Sequence, residues 1–408
     1  MKAMGPIPPD FHADDDGALL LGRWRAPALV HEQGHTPLFV YDVGIVENRA
    51  RRFRAAMPPA VALHYAVKAN PCEPLLERLH PLVDGFDIAS EGELRRLPQG
   101  LSGKPISFAG PAKLPDELEL AVAAGITLNV ESEREAEEAI RLARAMDVRP
   151  RLAVRVNPPF GLKGSGMKMG GLASPFGVDH DRVPALVRRI LDEGGDWRGL
   201  HVYAGSQSLS AEAIIDSQRA TVALAAEIAE AAGATPPEVN LGGGFGIPYF
   251  AGDQPLDIEA VGQALRQTLD ARPAILRDTK FVIELGRWLV GEAGVYLTRV
   301  VDRKVSRGKT FLVTDGGLQH MLAASGNFGQ LLRRNYPVAV AGRFGAEPEE
   351  EVTIVGCLCT PLDLLADEVM LPRAEVGDVI AIFCAGAYGL TASPQAFLSM
   401  PAAKEVLV

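Results

Sequence analysis

Leu63-His64-Tyr65-Ala66-Val67-Lys68-Ala69-Asn70-Pro71 decides how the chain is read. Five mostly apolar residues, Leu63–Val67, make a buried strand, and the run ends on a lysine, an asparagine and a strand-breaking proline. Seven more runs of this kind follow at Phe86–Ala89, Ile106–Ala109, Thr127–Val130, Leu152–Val156, Leu200–Ala204, Val239–Leu241 and Phe281–Leu285. Amphipathic segments lie between them, among them Pro115–Ala124, Glu133–Ala145, Val183–Leu191 and Ala211–Ala232. Eight strands alternating with helices predict a parallel sheet, because each parallel crossover needs a covering helix. Eight is also the number that closes a (β/α)8 barrel, with a doubly wound open sheet as the alternative.

After Gly286 the pattern changes. Val295–Arg303, Thr310–Thr314, Glu351–Val355 and Asp378–Phe383 are strand-like, are separated by Gly and Pro, and have no regular helices between them. They predict a mostly antiparallel β domain, joined by a short N-terminal strand at Ala18–Leu21. The expected division is a barrel over residues 37–288 and a β domain built from 1–36 and 289–408.

The length of 408 residues and a hydrophobic content of 47% suit a large core in two domains. A net charge of −10 without any basic run argues against nucleic acid. Four cysteines are too few for a disulfide scaffold, and Cys357 and Cys359 lack a second pair at zinc-like spacing, so no metal is expected. Residues 1–16 lack the apolar stretch of a secretory signal, and no window has membrane-spanning length. A cytoplasmic protein is the expectation.

In (β/α)8 barrels the reactive groups stand at the C-terminal ends of the strands. Here the first strand ends in Lys68. Burial there would lower its pKa and favour a neutral, nucleophilic amine, although a lysine at a barrel rim can also simply reach solvent. The sixth strand ends in Gly205-Ser206-Gln207 and the seventh in Gly242-Gly243-Gly244-Phe245-Gly246. Such glycines form either a phosphate cradle or a tight turn, and the run lacks the Lys-Ser/Thr of a nucleotide loop. The eighth strand ends in Glu284-Leu285-Gly286-Arg287, which is either a local ion pair or an acid for a ring nitrogen beside a phosphate-binding arginine. An amine, a phosphate cradle and an acid together describe a site for pyridoxal 5′-phosphate (PLP).

These residues also carry a resemblance. The chain is similar to the fold-type III PLP enzymes, the alanine-racemase-like architecture of a barrel plus a β domain. Within them it resembles the diaminopimelate/ornithine decarboxylases. The motifs run from His64-Tyr65-Ala66-Val67-Lys68-Ala69-Asn70 through Asp87-Ile88-Ala89-Ser90-Glu91-Gly92-Glu93-Leu94, Asn129-Val130-Glu131-Ser132 and Arg155-Val156-Asn157-Pro158 to Gly386-Ala387-Tyr388. The resemblance implies Lys68 as the Schiff-base lysine and Glu284 as the partner of the pyridine nitrogen. It implies Ser206, Gly243, Gly244, Gly246, Gly286, Arg287 and Tyr388 around the cofactor. Cys359 matches a cysteine that serves the partner subunit's site in a homodimer and returns a proton to the α-carbon. An amino-acid racemase of the same fold is the nearest alternative, but such racemases set an arginine against the ring nitrogen.

Two departures from the family pattern concern the substrate and the ring. Tyr203 stands where the family has a ring-stacking histidine, with His201 as the other candidate. Thr360 stands where the family has an acid that holds the distal amine, and the Arg-Pro-x-x-Tyr segment is replaced by Ala323-Ala324-Ser325-Gly326-Asn327-Phe328-Gly329-Gln330. Together with Met4-Gly5-Pro6-Ile7-Pro8-Pro9, this resembles a subgroup associated with exosortase gene clusters. Ser325, Asn327 and Thr360 are therefore the expected substrate contacts. The expected reaction is decarboxylation of an amino acid or of a conjugate, possible forms including one tethered to an acyl carrier protein. An ordinary diaminopimelate decarboxylase is the fallback.

Overall fold

The computed structural model describes residues 1–98, 103–162, 166–168, 170–328, 330 and 332–408. It divides into two compact units, residues 49–247 with 255–286, and residues 1–48 with 248–254 and 287–408.

The first unit is the barrel. Its strands are β1 (Val61–Ala66), β2 (Gly85–Ile88), β3 (Ile106–Phe108), β4 (Thr127–Val130), β5 (Arg151–Asn157), β6 (Asp196–Val202), β7 (Glu238–Asn240) and β8 (Lys280–Leu285). Each pairs in parallel with the next, and β8 pairs with β1 through Phe281↔Val61 to Leu285↔Tyr65, which closes the ring. The open-sheet alternative is thereby excluded.

Capping fixes where the covering helices begin. Ser132 Oγ accepts the Glu135 amide at 3.1 Å to start the helix Glu133–Ala145. Ser210 does the same for Ala211–Ala232, which stops at Gly233 in the left-handed region (φ 71). Gly262 lets its helix approach Ala56, since a Cβ there would sit 2.1 Å from the Ala56 carbonyl oxygen.

The barrel interior is more polar than the branched aliphatic layers usual in this fold. Every strand contributes a polar side chain to one of two internal cavities: His64, Asp87, Ser107, Asn129, Arg155, His201, Asn240 and Glu284 from β1 to β8 in order. Most are buried, His201 to 1% and Asn129 to 3% exposure.

The second unit is a mostly antiparallel sheet centred on the long strand Gly294–Ser306. That strand pairs antiparallel with Lys309–Thr314, Val379–Ile382 and Leu38–Tyr41. Two pairings are parallel, Lys309–Thr314 with Glu350–Val355 and Lys404–Leu407 with Leu38–Tyr41. Residues 37–48, expected within the barrel, group with this unit because Leu38–Tyr41 is one of its strands. Residues 248–254 group with it as well. The strand expected at Ala18–Leu21 is shorter: Leu20–Leu21 pairs only with Trp24–Arg25 in a separate ribbon. Among the described residues, no helix is long and apolar enough to cross a membrane.

Candidate active site

Lys68 does not continue β1. It sits in the one-turn 3₁₀ segment Val67–Ala69, which lifts it out of the strand. Val67 and Ala69 are buried while Lys68 itself is exposed, so the expectation of a buried lysine is corrected. Its side chain lines a cavity of about 250 Å³ together with Asp87, Arg155, His201, Tyr203 and Glu284. Its Nζ lies 5.4 Å from the centre of the Tyr203 ring.

Glu284 is held from two sides. His201 Nε2 is 2.9 Å from its Oε2, and Asn240 Nδ2 donates to the same oxygen at 3.2 Å. Burial raises the pKa of this carboxyl. His201 and then Lys68 and Arg155 more than offset that, so Glu284 is held below the ordinary carboxylate range and is anionic at neutral pH. The two candidates for the aromatic position thus have different places. His201 is buried against Glu284, and Tyr203 is the ring beside the amine.

Arg155 lines the same cavity. Its guanidinium donates to Glu131 Oε1 at 2.8 Å and lies 5.0 Å from the Phe176 ring. Glu131 also accepts the amides of Gly110 (2.6 Å) and Gly177 (3.1 Å), tying three loops together. Asp87 accepts the Ser107 hydroxyl and stands 3.6 Å from His64. Reading strand ends alone had given no role to Asp87, Arg155, Asn240 or Glu131. The available signal was a polar residue inside an otherwise apolar run.

The glycine loop after β7 is crowded against neighbouring backbone. Gly242 and Gly244 have φ of 70 and 80, and Cβ atoms there would lie 2.4 Å from the Val202 oxygen and 2.3 Å from the Gly205 oxygen. At Gly243 a Cβ would be 1.9 Å from the Glu284 carbonyl oxygen. Gly246 donates to Ser208 O at 2.8 Å, and a Cβ on Gly286 would meet Ala69 at 2.7 Å. Ser206 is buried in the two-residue strand Gly205–Ser206. Gly243→Ala should destabilise the barrel by at least about 1–3 kcal/mol, the usual scale for overpacking, read as a lower denaturant midpoint. A midpoint equal to wild type would contradict the crowding.

The remaining expected site residues lie in the second unit. Arg287 opens the short helix Arg287–Val290 and donates from Nη1 to the Tyr249 hydroxyl at 2.7 Å. Its guanidinium is 4.7 Å from the Tyr388 ring centre, and its buried Nε has no protein partner among the described residues. Tyr388 has φ 55, a left-handed conformation uncommon for a bulky residue. Exposed Cys359 and half-buried Thr360 stand on a turn that the Asp363 carboxylate organises by accepting the Leu358 amide at 2.9 Å and the Leu318 amide at 2.7 Å. Ser325 is buried and accepts Asn327 Nδ2 at 2.8 Å, and Asn327 also reaches Leu362 O at 3.5 Å. Ser325, Asn327 and the Thr360 turn are therefore brought together. Gly329 lies outside the described residues.

The residues present fit PLP. The amine of Lys68 and the anionic Glu284 share one cavity, and the glycine loop leaves no space for side chains. Comparison with known proteins agrees. Residues 43–291 match the family described as "Pyridoxal-dependent decarboxylase, pyridoxal binding domain". The chain is 37% identical over 379 residues to an L-glutamyl-[BtrI acyl-carrier protein] decarboxylase from Niallia circulans, covering 91% of this chain and 88% of that one. It is 33% identical over 412 residues to the diaminopimelate decarboxylase of Methanothermobacter thermautotrophicus, covering 98% and 92%. A solved diaminopimelate decarboxylase from M. jannaschii in complex with L-lysine superposes with a TM-score of 0.85 at 26% identity, covering 98% and 92%. The chain belongs to the fold-type III pyridoxal-dependent decarboxylases, and it is a PLP enzyme that removes the α-carboxylate of an amino acid or amino-acid conjugate.

Proposed function

We propose that the substrate is an amino acid whose side chain is already joined to a larger group, with a glutamyl unit on an acyl carrier protein as the leading form. Thr360 carries this reading. A free diamino acid needs a carboxylate to hold its distal amine, and the exposed turn supplies a hydroxyl that accepts the Leu362 amide at 3.3 Å. The groups beside it, Ser325 and Asn327, are neutral too. A site without the buried polar partner loses discrimination for the charged end of a substrate and tolerates an uncharged linkage there. The similarity to a decarboxylase of a carrier-bound glutamyl group points the same way.

In this reading Lys68 would hold PLP through its aldehyde group, and Glu284, fixed by His201 and Asn240, would serve the ring nitrogen. Tyr203 would cover the ring, while Ser206 and the Gly242–Gly246 loop would take the phosphate. When bound, PLP supplies an electron sink for the pair left behind as carbon dioxide departs. Anionic Glu284 keeps a proton on the ring nitrogen, which sustains that sink. Arg155 sets a fixed positive charge near the departing carboxylate. Cys359, exposed on its turn, serves the site of a second copy in a homodimer and delivers a proton to the α-carbon. A cytoplasmic setting fits the four free cysteines.

The test is carbon dioxide release by the PLP-loaded enzyme from a glutamyl-carrier conjugate, free glutamate, diaminopimelate and ornithine. The conjugate should be preferred in kcat/KM by on the order of 10²-fold or more. Diaminopimelate or ornithine as the best substrate would contradict the role given to Thr360.

A further inference from the structure

The polar interior of the barrel continues below the site. A second cavity of about 150 Å³ is lined by His64, Ser107, Asn129 and Asn240. Its far end is formed by residues at or near strand starts, Arg151, Arg198, Glu238 and exposed Lys280. It therefore reaches the N-terminal end of the barrel, opposite Lys68. At roughly 10–15 Å³ of such space per water, several waters fit.

Three pairs of side chains link the two cavities, Ser107 with Asp87, Asn240 with Glu284, and His64 with Asp87. His64 lines the lower one, Asp87 lines the upper one beside Lys68, and His64 Nδ1 is 3.6 Å from Asp87 Oδ2. Both atoms are buried and have no hydrogen-bond partner among the described residues. Asn129 Nδ2 and His201 Nδ1 are in the same condition. Orphaned buried polar atoms around cavities of this size call for ordered water. The imidazole also has a built seat. Its neighbour across the β1–β2 pairing is Gly85, where a Cβ would lie 2.5 Å from His64 Nε2.

Decarboxylation consumes a proton: R–CH(NH3⁺)–COO⁻ + H⁺ gives R–CH2–NH3⁺ + CO2. The lower cavity, which reaches the other end of the barrel, offers that proton a second approach.

We propose that His64 and Asp87 pass protons from the lower cavity to the chamber of Lys68, so that the proton replacing the one that Cys359 of a second copy gives to carbon enters through the floor of the barrel. This rests on the decarboxylase reading of the same site. A water bonded to both His64 Nδ1 and Asp87 Oδ2, which stand 3.6 Å apart, takes the Nδ1 proton as it gives one to Asp87, and His64 regains a proton at Nε2 from water in the lower cavity. Asp87 then releases its proton to a water or an amine in the upper chamber. No bond to carbon changes in these transfers, and no oxidant or reductant is needed. The surrounding charges keep the donor filled. Burial disfavours protonated His64, but Asp87, with Glu238 and Glu284 further away, outweighs burial and leaves its pKa raised, although Arg151, Arg198 and Lys280 line the same cavity.

Two variants and one titration test this. In the PLP-loaded enzyme, His64→Gln should lower kcat at least about tenfold with KM nearly unchanged, and should increase the solvent deuterium isotope effect on kcat. His64→Ala should regain activity with added imidazole, which the vacated space admits. An unchanged kcat, or a loss with neither a larger isotope effect nor an imidazole response, would overturn the path. The pair is also read without turnover. In the cofactor-free protein, the ring titration of His64 followed by ¹⁵N NMR should fall by about one unit or more in Asp87→Asn. A titration that does not move overturns the pairing, whatever the activity, and is independent of the decarboxylase reading.

Discussion

Lys68→Ala should abolish carbon dioxide release while the barrel stays folded. The residue is exposed, in a one-turn segment between buried Val67 and Ala69, so truncation removes little packing. Stability should shift by no more than a surface substitution does, within about 0.5 kcal/mol. The chemical loss is of a different size. In the proposed function the amine is the nucleophile of the cavity, and loss of a covalent catalyst lowers kcat by on the order of 10⁴-fold or more. The near-visible absorbance of the lysine-bound cofactor should disappear from the variant. Full activity, or an unchanged absorbance, would remove Lys68 from the mechanism.

Glu284→Gln carries the second large effect. The glutamine keeps shape and hydrogen-bonding capacity beside His201 and Asn240 but removes the negative charge. His201, Lys68 and Arg155 hold the native carboxyl below its ordinary range, so it is ionised at neutral pH. Loss of a preorganised charge at a reacting centre costs about 10²–10³ in kcat. Because its folded pKa is depressed, Glu284 contributes stability that is complete above the unfolded carboxylate value near 4 and is lost as pH falls through the lower, folded value. The wild type should therefore lose stability in acid more steeply than Glu284→Gln, as measured by thermal unfolding between about pH 5 and pH 2. Parallel curves would place the charge elsewhere.

The barrel was legible because its strands are short apolar runs between amphipathic helices. The segment Thr127–Val130 is read residue for residue. β6 begins four residues earlier than its apolar core because Asp196-Trp197-Arg198-Gly199 pairs through a register shift between Trp197 and Gly199, which no local pattern reports. The β unit was less legible for a related reason. Leu38–Tyr41 is buried along its whole length and takes its partners from Gly294–Ser306 and Lys404–Leu407, hundreds of residues away. At the site, Lys68, Glu284 and the glycine loop stood out at strand ends. The hold of His201 and Asn240 on Glu284 did not, because a single polar residue within an apolar strand looks the same whether it packs or carries chemistry. The two readings of Lys68, buried or reaching solvent, are separated by geometry: the 3₁₀ turn at Val67–Ala69 leaves the strand one residue early and exposes it.

Borohydride reduction of the PLP-loaded enzyme, followed by digestion and mass mapping of the pyridoxyl label, tests the central claim most directly. The account predicts a single stoichiometric label on Lys68. A label on any other lysine, or none, would contradict it.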